Sequence, residues 1–332
     1  MEKAIKERYN DAILETAMRR YGIAPGQVCP LDGFESFIYT FERDQGAYIL
    51  RIGHSRRRSV SLIRGEVDWI NYLAAEGASV ARAILSERGE LVEVLDDGQG
   101  AHFLATAFVE APGRPPWEVG WTPELFETYG RLLGRMHALS QGYTPSDPAC
   151  QRPHWNDDIM LDVEGNVPAA QTQVLARFEA LMAYLEALPR NRASYGLIHF
   201  DAHGGNMLVD ERGRITLFDF DDCNYSWYVN DLAIVLFYIV MGHEDEAAFT
   251  RAFMSHFLRG YRRENALDPA WLGEIPYFLK LREIDLYAVI HRSFDLDDLD
   301  PWCARYMQGR RARIEAGVPY IDFDFASLAE YL

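Results

Sequence analysis

Apolar positions along this chain change their spacing near residue 110. Before it they form short strand-like runs, and after it most recur at helical intervals. Ile5, Tyr9, Ile13, Ala17 and Tyr21 predict one amphipathic helix over Ala4–Tyr21, broken by Gly22, Pro25, Gly26 and Pro30. Strands are expected at Phe37–Phe41, Tyr48–Ile52, Ala83–Ser86, Leu91–Val94 and His102–Phe108. Arg43-Asp-Gln-Gly46 reads as the hairpin turn joining the first two. A helix over Val60–Ala75 buries Leu62, Val67, Ile70 and Leu73, with Ser59 or Ser61 as its cap.

Proline and glycine crowd together in Ala111-Pro-Gly-Arg-Pro-Pro116, the clearest linker signal. Beyond it helices are predicted at Pro123–Leu139, Thr172–Leu188, Asn230–Met241, Glu246–Tyr261, Ala270–Ser293 and Asp300–Ala316. Short strands are expected at Tyr195–His199, Met207–Val209 and Ile215–Phe218. The fold class is α+β. A small antiparallel β lobe with one helix spans residues 1–109, a hinge 110–118, and a larger helical lobe 119–332. A ligand cleft is expected between the lobes.

The chain has 332 residues, with 33 Lys and Arg against 50 Asp and Glu, a net charge of −17. Such a surplus excludes nonspecific binding to nucleic acid or to anionic membranes. It suits a cationic substrate, although solubility alone accounts for it. Cys29, Cys150, Cys223 and Cys303 lack paired spacing, so neither a disulfide framework nor a zinc site is expected. The charged start is no signal peptide, and no apolar run spans a bilayer; the expected location is the cytoplasm.

The chemistry concentrates in His199-Phe-Asp-Ala-His-Gly-Gly-Asn206 and in Phe218-Asp-Phe-Asp-Asp222. Asp201, in a loop after an apolar strand, is placed to accept a hydroxyl proton. Asn206 and Asp219 offer one neutral and one charged oxygen donor, the kind Mg²⁺ takes. Gly204 and Gly205 let the loop turn sharply. Taken singly, these residues read as a helix cap, a turn and a solvated acidic cluster. Their order and spacing together favour a catalytic reading.

This loop and the Asp-Phe-Asp after it resemble the aminoglycoside phosphotransferase and choline kinase superfamily, whose pattern is His-Gly-Asp-x-x-x-x-Asn followed by an Asp after a short strand. The match falls on His199, Asp201, Asn206 and Asp219, with Phe200 where glycine is usual. The resemblance implies a two-lobed, protein-kinase-like fold with an ATP cleft between the lobes. It also implies ATP- and Mg²⁺-dependent transfer of a phosphoryl group to a small-molecule hydroxyl, with an aminoglycoside, choline or homoserine among the acceptors left open. Asp231 would brace the catalytic loop.

In the small lobe the resemblance points to Gly33 and Ser36 as the turn over the phosphates. Arg51 stands where lysine is usual and would be held by Glu66, while Phe108, Val109 and Glu110 would form the adenine hinge. The run Arg56-Arg57-Arg58 reads as a solvated loop, and His137 as structural. Acceptor contacts are expected among His203, Asp221, Glu283, Asp285, Tyr287 and His291; either Asp221 or Asp222 would alternatively face a second Mg²⁺. Two other functions stay open: a bacterial Ser/Thr protein kinase of the stress-response type, and a non-catalytic nucleotide-binding scaffold.

Overall fold

The computed structural model describes residues 2–43 and 46–332. The two central residues of the expected hairpin turn, Asp44 and Gln45, lie outside the described residues. The chain divides into two compact units. The first runs as far as Arg114 and also takes Tyr143–Arg152 and Leu208–Asp221. The second holds Pro115–Gly142, Pro153–Met207 and Asp222–Leu332. The break after Arg114 falls inside the expected hinge. A simple cut into 1–109 and 119–332 is nevertheless corrected: the chain goes back to the first unit twice, and the second return carries Asp219.

The first unit opens with two helices, α1 (Lys3–Lys6) and α2 (Asp11–Arg20), where one was expected. Asn10 separates them, because its side chain accepts hydrogen bonds from the N–H groups of Ala12 and Ile13 and so caps α2. A sheet follows, built of β1 (Val28–Leu31), β2 (Phe37–Arg43), β3 (Gly46–His54), β4 (Ala83–Ile84), β5 (Glu93–Asp96) and β6 (His102–Val109). Its pairings are antiparallel, in the order β1-β2-β3-β6-β4, with β5 also on β6. The pattern did not foretell β1; it lies at the sheet edge, where Pro30 withholds no needed donor.

Alternation along β3 and β6 gives the sheet two different faces. Leu50, Ile52, Phe103, Ala105 and Ala107 pack with Ala17, Met18 and Tyr21 in one apolar cluster. Arg51 and Thr106, which lie opposite each other in the β3–β6 register, fall on the other face. There the long helix α3 (Val60–Ala75) brings in Glu66, with Ser59 as the cap.

The second unit contains α4 (Pro116–Val119), α5 (Pro123–Ser140), α6 (Val163–Asn166), α7 (Thr172–Glu186), α8 (Tyr228–Ile239), α9 (Glu246–Tyr261), α10 (Ile275–Ser293), α11 (Pro301–Met307) and α12 (Arg310–Ala316). The last two replace one expected helix, since Gly309 breaks it at a left-handed φ of 66°. Helices α5 and α9 approach through glycine. A Cβ on Gly130 would lie 1.8 Å from the Phe257 carbonyl oxygen, and one on Gly260 would lie 1.9 Å from that of Glu127. Two antiparallel strands, β7 (Tyr195–Ile198) and β10 (Asn224–Trp227), flank the catalytic motif. Strands β8 (Met207–Val209) and β9 (Ile215–Leu217) form a separate hairpin. Among the described residues no helix is long and apolar enough to cross a membrane.

Candidate active site

In the second unit, β7 delivers the chain into the loop that holds Asp201. Phe200 is left-handed, with φ 67°, a conformation costly for a bulky side chain. That accounts for the usual glycine at this place. Buried Asp231, at the start of α8, holds the strained turn: its oxygens accept the N–H of Phe200 at 2.7 Å and of His199 at 2.9 Å. His137 Nε2 lies 3.1 Å from the same carboxylate, and Tyr261 O–H 2.9 Å from His137 Nδ1.

Both oxygens of Asp201 are engaged. Oδ2 accepts from Asn206 Nδ2 at 3.0 Å and lies 3.3 Å from His203 Nε2, while Oδ1 pairs with Arg282 Nη2. Burial pushes this carboxyl up, but the His203 and Arg282 charges outweigh it and hold it down at about 2. The amide nitrogen of Asn206 also donates to the Asp201 carbonyl at 2.9 Å. Its Oδ1 is the atom left to meet a cation.

Arg282, on α10, was not foreseen as a site residue. Besides Asp201 it reaches Asp285 at 2.9 Å and the Tyr238 hydroxyl at 2.7 Å, and its cation lies 5.3 Å from the Tyr238 ring centre. Burial raises the Asp285 carboxyl to about 6, with the Asp222 and Asp201 charges adding to the rise and Arg282 opposing it.

The other α10 candidates lie elsewhere on the helix. Glu283 is fully buried, and its two oxygens are taken by Lys280 and by Arg310, the latter at 2.7 Å. The Tyr287 hydroxyl donates to Gln171 Oε1 at 2.8 Å, and its ring meets His291 edge-on at 4.6 Å. Residues 283, 287 and 291 follow one another at four-residue steps, off the face that carries 282 and 285. Glu283 and Tyr287 are therefore withdrawn as acceptor contacts, because their polar atoms are already bound inside the unit. His291 shares their face of the helix, but its buried Nε2 has no hydrogen-bond partner among the described residues.

In the first unit, Arg51 forms a two-pronged pair with Glu66, at 2.8 and 2.6 Å, and lies 3.9 Å from Asp219. Burial disfavours the Arg51 cation, but Glu66 more than restores it. The change from lysine thus leaves a formed ion pair, which argues against a degenerate scaffold. Asp219 is left-handed, with φ 61°, and its side chain is 55% exposed. Gly33 sits in a tight turn, where a Cβ would lie 2.2 Å from the Ser36 carbonyl oxygen.

Two expectations are corrected here. Arg57 and Arg58 are not solvated: both pair with Asp221, Arg58 at 3.2 Å. Burial would push the Asp221 carboxyl up, but Arg57, Arg58, Arg51 and Arg152 hold it far below the usual range. Asp221 is thereby bound within the first unit and is withdrawn as an acceptor contact. At the hinge, the N–H of Val109 donates to the Arg82 carbonyl at 2.9 Å, and that of Glu110 to Ala47 at 3.0 Å. The first N–H past β6 without such a partner belongs to Ala111.

The sequence model of the phosphotransferase enzyme family matches residues 28–267. The chain belongs to the phosphotransferase enzyme family. It is 41% identical over 333 residues to an amicoumacin kinase of Bacillus subtilis (strain 168), covering 99% of each protein. A solved amicoumacin kinase in complex with AMP-PNP, Ca²⁺ and Ami superposes with a TM-score of 0.94, at 41% identity, over 99% of this chain and 100% of that one. A microcompartment-associated aminopropanol kinase shares the fold, with a TM-score of 0.74 at 24% identity over 92% and 97% of the two chains. The kinase-like fold expected from the catalytic motif is the fold of this family.

Proposed function

We propose that this small-molecule phosphotransferase moves the γ-phosphoryl group of ATP to a hydroxyl of amicoumacin or a chemically similar acceptor. The observation that carries this reading is the Asp201 carboxylate, fixed by Asn206, His203 and Arg282 in one loop-and-helix constellation. Full-length identity of 41% to an amicoumacin kinase supports the acceptor class. The cationic character of the acceptor is supported by the net charge of −17 and by Asp285 beside the constellation.

In this reading Asp201 orients the acceptor hydroxyl and takes its proton as the phosphoryl group is transferred. Arg51, held by Glu66, supports the α- and β-phosphates. Ser36 and the Gly33 turn cover the phosphates. Backbone groups from Phe108 to Ala111 would hold adenine, with the Ala111 N–H as the first one past β6 that no backbone carbonyl among the described residues takes. Asn206 Oδ1 in the second unit and the exposed Asp219 carboxylate in the first are each a hard oxygen donor of the kind Mg²⁺ takes. Among the described residues no group of three or more His, Cys, Asp or Glu gathers to hold a metal. A bound Mg²⁺ neutralises charge on the phosphates. A reducing, cytoplasmic setting accords with four cysteines that form no disulfide.

The test is transfer of γ-labelled phosphate to amicoumacin, to aminoglycosides, to choline and to homoserine. Wild-type protein is expected to label amicoumacin in preference to the others, and Asp201→Ala to label none while still binding ATP. Transfer by Asp201→Ala at the wild-type rate would remove the catalytic assignment. Preferential labelling of another acceptor would remove the acceptor assignment alone.

A further inference from the structure

In the second unit, Arg282 on α10 pairs with Asp201 and with Tyr238 at the end of α8. The residue beside each of them, Glu283 and Phe237, is gripped by the C-terminal segment. Tyr306 on α11 donates its hydroxyl to the Glu283 carbonyl at 2.6 Å. Tyr320 donates its hydroxyl to the Phe237 carbonyl at 3.1 Å, and the two rings stack at 4.2 Å. Phe237 lies in the last turn of α8, where helix carbonyls run out of helical donors, so the Tyr320 hydroxyl caps the turn that presents Tyr238.

Arg310 joins the two tyrosines. Its cation lies 4.4 Å from the centre of the Tyr306 ring and 5.5 Å from that of Tyr320, while Nη1 donates to Glu283 at 2.7 Å and Nε to the Tyr306 carbonyl at 3.1 Å. The pair is withdrawn from water, with the Arg310 side chain 14% exposed and that of Glu283 fully buried. A cation desolvated against aromatic faces is held far more firmly than an exposed one. Lys280 takes the other Glu283 oxygen and donates to the Val318 carbonyl at 2.6 Å. The rotation of α10 is thus fixed at residue 283, through both side chain and carbonyl. Arg282 leaves the same turn about 100° around the axis, so whatever turns Glu283 also turns Arg282.

We propose that Tyr306, Arg310 and Tyr320 form a clasp that sets the aim of Asp201, with Arg310 a positioning residue that acts through Glu283 and Arg282. Tyr320 serves the same end from α8, through Phe237 and Tyr238. All three residues lie beyond residue 267, where the match to the family model ends. The clasp rests on the phosphotransfer reading above and extends it, since it makes the last part of the chain a determinant of the acceptor step.

A double-mutant cycle on the full-length protein tests the clasp, read as kcat/KM for whichever acceptor of the panel above is labelled fastest. Arg310→Met is expected to lower that value about tenfold and to leave ATP affinity within about twofold, because a small misplacement at a reacting group is costly. In an Arg282→Met background the same change is expected to cost less than about twofold, since the residue it acts through is gone. Arg310→Lys is expected to recover part of the loss. Tyr320→Phe keeps the ring and removes only the bond to Phe237; it is expected to cost about threefold, and it keeps the test open if Arg310→Met does not fold. Wild-type kcat/KM in a folded Arg310→Met or Tyr320→Phe protein overturns the clasp. So does a loss of equal size with and without Arg282, the result of a merely structural contribution, or an equal loss of ATP affinity. Failure of the wild-type protein to label any acceptor of the panel overturns the phosphotransfer reading and the clasp with it.

Discussion

Arg282 and Asp201 are 81 residues apart in sequence, and the Nη2 of the one is bonded to the Oδ1 of the other. A permanent cation therefore sits on the oxygen that the proposed mechanism assigns to the acceptor hydroxyl. Arg282 keeps the carboxylate ionised and aimed, and Asp285 and Tyr238 hold the guanidinium from its other side.

Replacing Arg282 by Met should lower kcat/KM for the acceptor about ten- to a hundredfold, because Asp201 loses a charge-assisted bond. ATP affinity should stay within about twofold. Arg282→Lys should recover part of the loss. Steady-state kinetics with each substrate varied in turn decides the matter; a loss confined to ATP would contradict the assignment.

Asp285 titrates near 6, above its ordinary range, because burial and the Asp222 and Asp201 charges penalise its ionised form. It is a carboxylate at pH 8 and largely neutral at pH 5. For a cationic acceptor, KM should rise as the pH falls through about 6, and Asp285→Asn should flatten that dependence. The sign for stability follows from the same shift. The folded-state pKa lies above the unfolded one, so the contribution is complete below the ordinary carboxylate range and is lost as the pH rises through about 6. KM profiles and denaturant melts over pH 5 to 8 measure the two effects.

Asp231→Ala should destabilise the protein by about 2–4 kcal/mol, since two buried N–H groups, of His199 and Phe200, lose their acceptor. The left-handed Phe200 turn loses its brace at the same time, so transfer should fall further than stability does. Urea unfolding together with kcat at a temperature where the variant stays folded separates the two. Full activity in a folded Asp231→Ala protein would refute the bracing role.

Gly130→Ala should destabilise by about 2 kcal/mol or more, because the new methyl meets the Phe257 carbonyl at 1.8 Å and must push α5 from α9. Gly260→Ala, at 1.9 Å from the Glu127 carbonyl, should behave alike. The double variant should cost less than the sum, since one separation relieves both contacts. Thermal melts of the three proteins check this.

Much of the framework was legible in the chain. Helical spacing located α3, α5, α7 and α9, because each buries one apolar stripe and its period survives in sequence. It missed the break at Asn10 and the one at Gly309, where a side-chain cap and a left-handed glycine interrupt a continuing period. It also missed β1, a mostly exposed edge strand with Pro30 in it, and β10, which follows closely on the acidic Asp219–Asp222 segment.

What the sequence by itself determined was the catalytic loop. Asp201, Asn206 and the Asp219 segment are close in sequence, so their order and spacing suffice to carry the resemblance to the family, and the resemblance implies the reaction. The tertiary structure alone decided which arginines serve that loop. Arg282 joins Asp201 across 81 residues, and Arg57 joins Asp221 across 164. It also decided that Glu283 is bound inside the unit while Asp285, two residues on, reaches the site. The reason is physical. A loop's geometry is set by its own few dihedrals, whereas a buried ion pair exists only where packing brings distant charges together and removes the water between them.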